Sequence, residues 1–358
     1  MQKRILVAPL NWGLGHATRC VPVIEELMQQ DASVLLVANG QAGEFLKQTF
    51  PKLPYYNLPG FDIQYQKTDS FNSNFIRQLP GLFRSVQTEH TECMKLISTY
   101  SIDAVISDNR YGLWHPQKPC VLVTHQMNLQ GKGLQKIMVP AANALIQHYL
   151  RKFSFCWIPD YPAMPGLAGK LSHNAKHLVN QRYTGPLSRF TVTPQSTAEA
   201  EYDLIAILSG PEPQRSIFEQ LILEQARLAK HKIVVVRGLP GHSDLPSESE
   251  NLLIFNHLPA DEMKKYIAES RNIICRSGYS GIMDLNALGR HAFLVPTPGQ
   301  PEQEYLAEIH NQSGRFTHVN QKDINLEMVF KHPQTSFETP KLSSDLLKTA
   351  VSEFLGAI

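Results

Sequence analysis

Ile5-Leu6-Val7-Ala8-Pro9-Leu10-Asn11-Trp12-Gly13-Leu14-Gly15-His16-Ala17 stands near the start of the chain. Residues 5–10 are a short apolar run that reads as a buried strand. In residues 21–30 the apolar positions Val21, Ile24, Leu27 and Met28 fall on one face of a helix. Between them lies a glycine turn. Its glycines allow a tight bend and close backbone approach, and the helix start offers free N–H groups and partial positive charge to an anion. Gly13, Leu14 and Gly15 are expected to border a site there. The match to a dinucleotide fingerprint is partial. Thr18 occupies the third glycine position, and residues 33–38, the second strand, end at Asn39-Gly40 with no acid to hold a ribose. A plain strand-to-helix turn is the competing reading. His16 lies in the loop rather than on an apolar face, where an imidazole can take a proton from an attacking hydroxyl.

Outward from this stretch the pattern repeats. Strands are expected at 55–58, 103–107, 120–124, 155–158 and 177–183. Helices are expected at 41–50, 72–100 (with a break at Pro80-Gly81) and 134–150. Short apolar strands between helices imply a parallel sheet covered on both faces. Residues 189–201 are rich in Ser, Thr and Pro and read as a linker. The alternation then restarts, with strands at 204–208, 232–236, 252–255, 272–275 and 291–295, and helices at 217–228, 261–269, 281–288 and 302–311. The expected fold class is therefore α/β, with two Rossmann-like domains facing each other across a cleft. The divisions are 1–186, a linker 187–201, 202–330, and a tail 331–358 whose helix packs back on the first domain.

A chain of 358 residues suits two such domains, and 42% hydrophobic against 18% charged residues sustains a sizeable core. A formal charge of +2 argues against a nucleic-acid binder. Cys20, Cys93, Cys120, Cys156 and Cys275 show no C-x-x-C pair or zinc spacing, so they read as reduced, buried thiols. The basic N-terminal start precedes a run too short for a signal peptide, and no stretch reaches the roughly 18 apolar residues of a membrane span. A cytoplasmic protein is expected.

Two further clusters carry chemistry. Ile274-Cys275-Arg276-Ser277-Gly278-Tyr279-Ser280-Gly281, followed by Asp284, is a strand running into a Ser/Gly turn and a helix, where amides and hydroxyls can hold a diphosphate. Asp284, one turn in, can accept from ribose hydroxyls, or is a solvated helix residue. Pro296-Thr297-Pro298-Gly299-Gln300-Pro301-Glu302-Gln303 follows the next strand end, the place where parallel sheets put ligands. Glu302 and Gln303 can hold sugar hydroxyls, or simply start the next helix. Asp108, after another strand end, either orients His16, touches an acceptor, or serves as a turn residue.

Taken in order and spacing, the Gly13-x-Gly15-His16 loop, the Ser277-Gly278…Asp284 turn and the Pro296…Gln300…Gln303 run resemble the GT-B glycosyltransferases. They are most similar to the MurG-like group, whose carboxyl-terminal module is the family 28 domain. The resemblance extends to about residue 315. It implies that the first domain binds the acceptor and the second a nucleotide-sugar, usually UDP-linked. On that resemblance, backbone around His257-Leu258-Pro259 meets uracil. Ser277, Gly278, Tyr279 and Ser280 meet the diphosphate, and Asp284, one methylene shorter than the usual Glu, holds ribose. Gln300, Glu302 and Gln303 contact the donor sugar, and Ser209-Gly210 form a phosphate- and sugar-facing turn. The family's Gly-Asn-Pro segment appears as Thr184-Gly185-Pro186, without the Asn.

The chemistry that follows is attack of an acceptor hydroxyl on the anomeric carbon, with His16 as base. There is no Asp-x-Asp pair to hold a metal, so no metal or other cofactor is expected, and helix N-termini with Arg276 or Arg215 are expected to neutralise the diphosphate. Retaining relatives commonly carry two glutamates eight positions apart; none occur here, which favours inversion. The expected partners are a UDP-sugar and a glycan or lipid-linked acceptor. Phe75, Ile76, Leu79, Leu82, Phe83 and Val86, beside Arg77 and Arg84, form a stripe suited either to core or to a membrane surface at its inner face. The alternatives are a MurG-like nucleotide-sugar hydrolase, a 2-epimerase, and a non-catalytic nucleotide-sugar-binding subunit.

Overall fold

The structure is a computed structural model, which describes residues 2–60, 71–129, 139–173, 180–190, 200–332, 337 and 345–358, with residues 71–80 and 82 as backbone. Its first sheet has seven strands in the order β3-β2-β1-β4-β5-β6-β7, all parallel. These are β1 (Arg4–Pro9), β2 (Ser33–Ala38), β3 (Tyr55–Asn57), β4 (Ala104–Asp108), β5 (Cys120–Val123), β6 (Phe155–Ile158) and β7 (Asn180–Tyr183). The second sheet, also all parallel, runs β10-β9-β8-β11-β12-β13. Its strands are β8 (Tyr202–Ile207), β9 (Ile233–Val236), β10 (Leu252–Phe255), β11 (Ser270–Cys275), β12 (Phe293–Leu294) and β13 (Thr317–His318). The central strands are buried almost throughout, which is why they read as continuous apolar runs rather than alternating ones.

In each sheet the strand order reverses beside the first strand, between β1 and β4 and between β8 and β11. A crevice at the carboxyl ends opens at such a switch point. Register brings Pro9 opposite Asp108, and Ile207 opposite Cys275. The loops after these four strands carry the residues that the sequence singled out.

The helices that frame the crevice are α1 (Leu14–Gln29), α2 (Gly40–Thr49), α3 (Phe71–Thr99), α4 (Val139–Leu150), α5 (Gln214–Ala226), α6 (Ala260–Ala268), α7 (Tyr279–Ala287) and α8 (Pro301–Gln312). The break expected at Pro80-Gly81 does not occur, and α3 is continuous across it. A proline removes one intrahelical bond, and the bonds on either side carry the helix through. Two elements escaped the sequence reading: β13, two residues long, and α9 (Leu326–Lys331). The last helix, α10 (Asp345–Gly356), packs on α1 and β7, with Phe354 edge-on to Trp157 at 5.7 Å. The expected linker falls largely at 191–199, outside the described residues, and the side chains of Phe75, Ile76, Leu79 and Leu82 of the expected stripe also lie outside what the structure describes. Phe83 is exposed. All five cysteines are free and buried. No described helix is long and apolar enough to cross a membrane.

Candidate active site between the two sheets

Two helix N-termini meet across the cleft. Gly13 precedes α1 with φ of 86°, a left-handed conformation that favours glycine, and Gly278 precedes α7. Ser280 Oγ donates to the Gly15 carbonyl at 2.7 Å, and a Cβ on Gly15 would sit 2.9 Å from that oxygen. A Cβ on Gly13 would lie 3.9 Å from Gly210, so the loop after β8 closes the same corner. Open space adjoins Gly210 and Gly278, where a Cβ would meet nothing within 4 Å. Leu14 packs against the core beside this corner. The two helix starts aim partial positive charge at one place, which suits a diphosphate.

Behind this corner lies a buried polar network. His16 Nδ1 is 2.8 Å from Asp108 Oδ1. Arg19, one turn further along α1, donates from Nε to Asp108 Oδ2 at 2.5 Å and from Nη2 to Oδ1. Burial opposes charge on Asp108, but Arg19 and His16 outweigh it and hold the carboxyl well below the usual carboxylate range. The ionised carboxylate claims a proton on Nδ1 of His16, leaving Nε2 with its lone pair. Arg19 Nη2 also lies 2.9 Å from Nδ1, because the guanidinium and the imidazole converge on the same Asp108 oxygen. Burial lowers the affinity of His16 for a second proton, Asp108 works the other way, and Arg19 adds to the lowering; the net direction is down. The result is a neutral, oriented imidazole at neutral pH, the form that a general base requires.

The second sheet's loops are placed as follows. Glu302, at the start of α8, reaches the first sheet. His125 Nε2 lies 2.9 Å from its Oε1, and Gln126 Nε2 donates to its Oε2. Gln303 is turned inward, its Oε1 accepting from the Thr297 amide at 2.8 Å and its carbonyl accepting from Ser277 Oγ at 2.9 Å. Gln300 precedes α8 and is half-buried. Tyr279 faces the domain junction rather than the diphosphate corner. Its hydroxyl donates to the Pro159 carbonyl and its ring stacks on His125 at 4.0 Å. Leu258 lies in the core.

The two arginines expected at the diphosphate are committed elsewhere. Arg276 is buried, donates to the carbonyls of Val295, Pro296 and Gln214, and lies over Phe218. Burial lowers its pKa to about 9. Arg215 is held by Glu212 and Glu219. Both sit behind the loops as braces, so the side-chain positive charge expected at the diphosphate is not supplied by them. Asp284 is also engaged. Its Oδ1 accepts from Ser188 Oγ at 2.6 Å, and its Oδ2 is 3.5 Å from Arg189 Nε.

Sequence reasoning missed three residues here. Arg189 brings a largely buried guanidinium to Asp284, with Nη1 lacking any hydrogen-bond partner among the described residues. Its nearness, after burial, pushes the His257 pKa down to about 4. Arg19 and His125 are buried in the cleft itself. One signal was available for Arg19: it lies three positions after His16, on the same helical face. Among the described residues no three His, Cys, Asp or Glu side chains cluster as metal ligands.

Two all-parallel sheets with a cleft at their facing carboxyl ends are the architecture of the GT-B glycosyltransferase fold. Residues 204–346 match the glycosyltransferase family 28 C-terminal domain. The chain is 23% identical over 324 residues to an uncharacterized glycosyltransferase of Methanosarcina acetivorans, covering 87% of this chain and 84% of that one. It is 22% identical over 316 residues to the UDP-N-acetylglucosamine–N-acetylmuramyl-(pentapeptide) pyrophosphoryl-undecaprenol N-acetylglucosamine transferase of Haemophilus ducreyi, covering 86% and 81%. Among solved structures it is similar to the kitacinnamycin glycotransferase, with a TM-score of 0.60 at 14% identity over 99% of this chain and 95% of that one. The second half thus carries a match to the glycosyltransferase family 28 C-terminal domain, and the chain as a whole has the GT-B fold and is similar to glycosyltransferases that include MurG-type enzymes.

Proposed function

We propose that this glycosyltransferase moves a hexosyl group, of which N-acetylhexosaminyl is one class, from a UDP-sugar to a hydroxyl acceptor with inversion and without a metal. The observation that carries the reading is the His16–Asp108 pair at 2.8 Å, set beside the facing N-termini of α1 and α7. In this reading His16 Nε2 takes the acceptor's proton as its oxygen bonds to the anomeric carbon. The bond from that carbon to the diphosphate oxygen breaks, and UDP leaves with the electron pair. Asp108 stabilises the imidazolium and fixes its tautomer. The helix N-termini receive the charge that develops on the diphosphate. The donor contacts assigned to Gly15, Ser209, Gly210, Leu258, Ser277, Gly278, Ser280, Asp284, Gln300, Glu302 and Gln303 belong to this proposal. Arg189 joins them as the cation beside Asp284.

A lipid-linked or cell-envelope glycan is the acceptor class we favour, because the Haemophilus ducreyi relative is named for an undecaprenol-linked acceptor and a UDP-N-acetylglucosamine donor. A cytoplasmic site of action, at the inner membrane face, goes with that acceptor. The test is UDP release from UDP-sugars with and without undecaprenyl-linked glycans, in chelator. Acceptor-dependent release supports transfer. Equal release in water alone establishes the hydrolase instead, and no release with retained UDP binding leaves only a binding subunit.

A further inference from the structure

A continuous line of side chains crosses the cleft from the first sheet to the second. Asp108 accepts from Arg19 Nε at 2.5 Å. Arg19 Nη1 lies 3.3 Å from His125 Nδ1, and His125 Nε2 lies 2.9 Å from Glu302 Oε1. The Glu302 carboxylate only accepts, so His125 Nε2 carries the ring's proton and donates it, and Nδ1 is left to accept from Arg19. The imidazole has no freedom to turn. It is 3% exposed, and Tyr279 of α7 stacks on its face at an interplanar angle of 19°. Gln126, its neighbour in sequence, donates to the other oxygen of the same carboxylate. The backbone N–H of Gln126 donates to Thr124 Oγ1 at 3.1 Å, which fixes the chain where that side chain starts.

We infer that His125 is a positioning residue for the donor sugar. It holds the Glu302 carboxylate in place, and through Arg19 ties it to the carboxylate that orients His16. This rests on the donor reading proposed above. In consequence one buried guanidinium sets both the base and the sugar-facing carboxylate, although the two lie on different halves of the chain. Sugar recognition thus depends on a first-half residue that touches no part of the donor. Nucleotide recognition, which uses the loops after β8, β10 and β11, does not.

The experiment titrates UDP and UDP-N-acetylglucosamine, separately, against the full-length protein and the variants His125→Phe, His125→Gln, Glu302→Gln and the His125→Phe/Glu302→Gln double. Phenylalanine keeps the stack on Tyr279 and removes the Nε2–H donor. Glutamine keeps an N–H for Glu302. UDP affinity is expected to stay within about twofold throughout, which also verifies folding. UDP-N-acetylglucosamine affinity is expected to fall about tenfold in His125→Phe and in Glu302→Gln, to fall no further in the double variant, and to recover largely in His125→Gln. Equal losses for UDP and the UDP-sugar would assign His125 a structural role only. Multiplying losses in the double variant would remove the coupling. Nitrogen-15 shifts of the His125 ring give a readout independent of donor identity: an Nδ1–H tautomer overturns the relay. If the wild type binds neither ligand, the donor reading itself fails, whereas binding without coupling removes the relay alone.

Discussion

Ser280 donates its hydroxyl to the carbonyl of Gly15 at 2.7 Å, joining two residues 265 positions apart and closing the first turn of α1 against the first turn of α7. The approach is close enough that a methyl group at Gly15 would stand 2.9 Å from Ser280 Oγ and 3.1 Å from its Cβ. Gly15→Ala is therefore expected to separate the two helix starts rather than to unfold either. Alanine favours a helix over glycine by about 1 kcal/mol, so the melting temperature should hold. Turnover is expected to fall about 10- to 100-fold, because small misplacements of reacting groups are costly. Steady-state kinetics with a thermal melt checks both halves, and Ser280→Gly in the same background should restore part of the rate.

His16 carries the second prediction. Replacing it with Gln keeps a polar side chain and removes the base. The expected loss in kcat is about 10²- to 10⁴-fold, the usual contribution of positioned proton transfer. UDP affinity should not move, since the imidazole faces the acceptor side in the proposed reaction. A parallel loss of UDP binding would place His16 at the diphosphate instead.

The pH profile follows from the same pair. His16 titrates below the ordinary 6.5 in the folded chain, chiefly because burial disfavours its charge and Arg19 adds to that, against the pull of Asp108. The neutral ring is the active form, so log kcat/KM should fall on the acid side with a midpoint below 6.5. Folding resists the proton, so the stability tied to neutral His16 is present above 6.5 and declines as pH falls below it. In Asp108→Asn the carboxylate that raises His16's affinity is gone. The acid limb should then move to lower pH while the plateau rate drops, and a limb moving upward would contradict the assigned geometry.

The strand-and-glycine pattern was legible because a parallel sheet buried on both faces writes each strand as an unbroken apolar run ended by a loop. His16, Asp108, Ser280 and Glu302, at those loop ends, were readable as site candidates for the same reason, and the structure brings them to one cleft. What the sequence did not display is which charges are spent on structure. Arg276 and Arg215 look like ligands for a phosphate, yet each lies against carbonyls or carboxylates of its own half. The roles of Arg19 and His125 are not written locally, because their partners Asp108 and Glu302 are 89 and 177 positions away. Asp284 was legible as a site candidate, but its partner Ser188 lies in the segment that reads as linker.

That partner makes the next prediction specific. Asp284→Ala leaves the half-buried Ser188 Oγ without its acceptor and the largely buried Arg189 guanidinium without its counter-ion. Losing a buried acceptor costs about 1–3 kcal/mol, so the ligand-free melting temperature should drop. In the wild type, UDP at 100 times its Kd should add about 2.7 kcal/mol of stability. If Asp284 also holds the donor's ribose, that gain should shrink sharply in the variant. A full UDP-induced shift on a destabilised variant would make Asp284 a brace for the 187–190 segment and nothing more.

The carboxyl-terminal helix supplies a prediction about the scaffold. α10 returns from the second half and buries Phe354 completely, edge-on to Trp157 at 5.7 Å and to Phe155 at 6.0 Å. Around it, Lys3 donates to the Leu355 carbonyl, Ser352 Oγ donates to Gln30 at 2.9 Å, and Arg182 pairs with Glu353 at 2.7 Å. The exposed Arg182–Glu353 pair contributes little, about 0–1 kcal/mol. The buried ring contributes most, and Phe354→Ala should cost about 3–5 kcal/mol through lost burial and the cavity left behind. Because Trp157 is in a first-sheet strand and touches Phe354, the loss should register as an earlier transition in tryptophan fluorescence. UDP binding below that transition should persist, since the donor loops lie on the other sheet. Loss of UDP binding in a variant still folded by fluorescence would mean that α10 fixes the relation of the two sheets, not only the stability of the first.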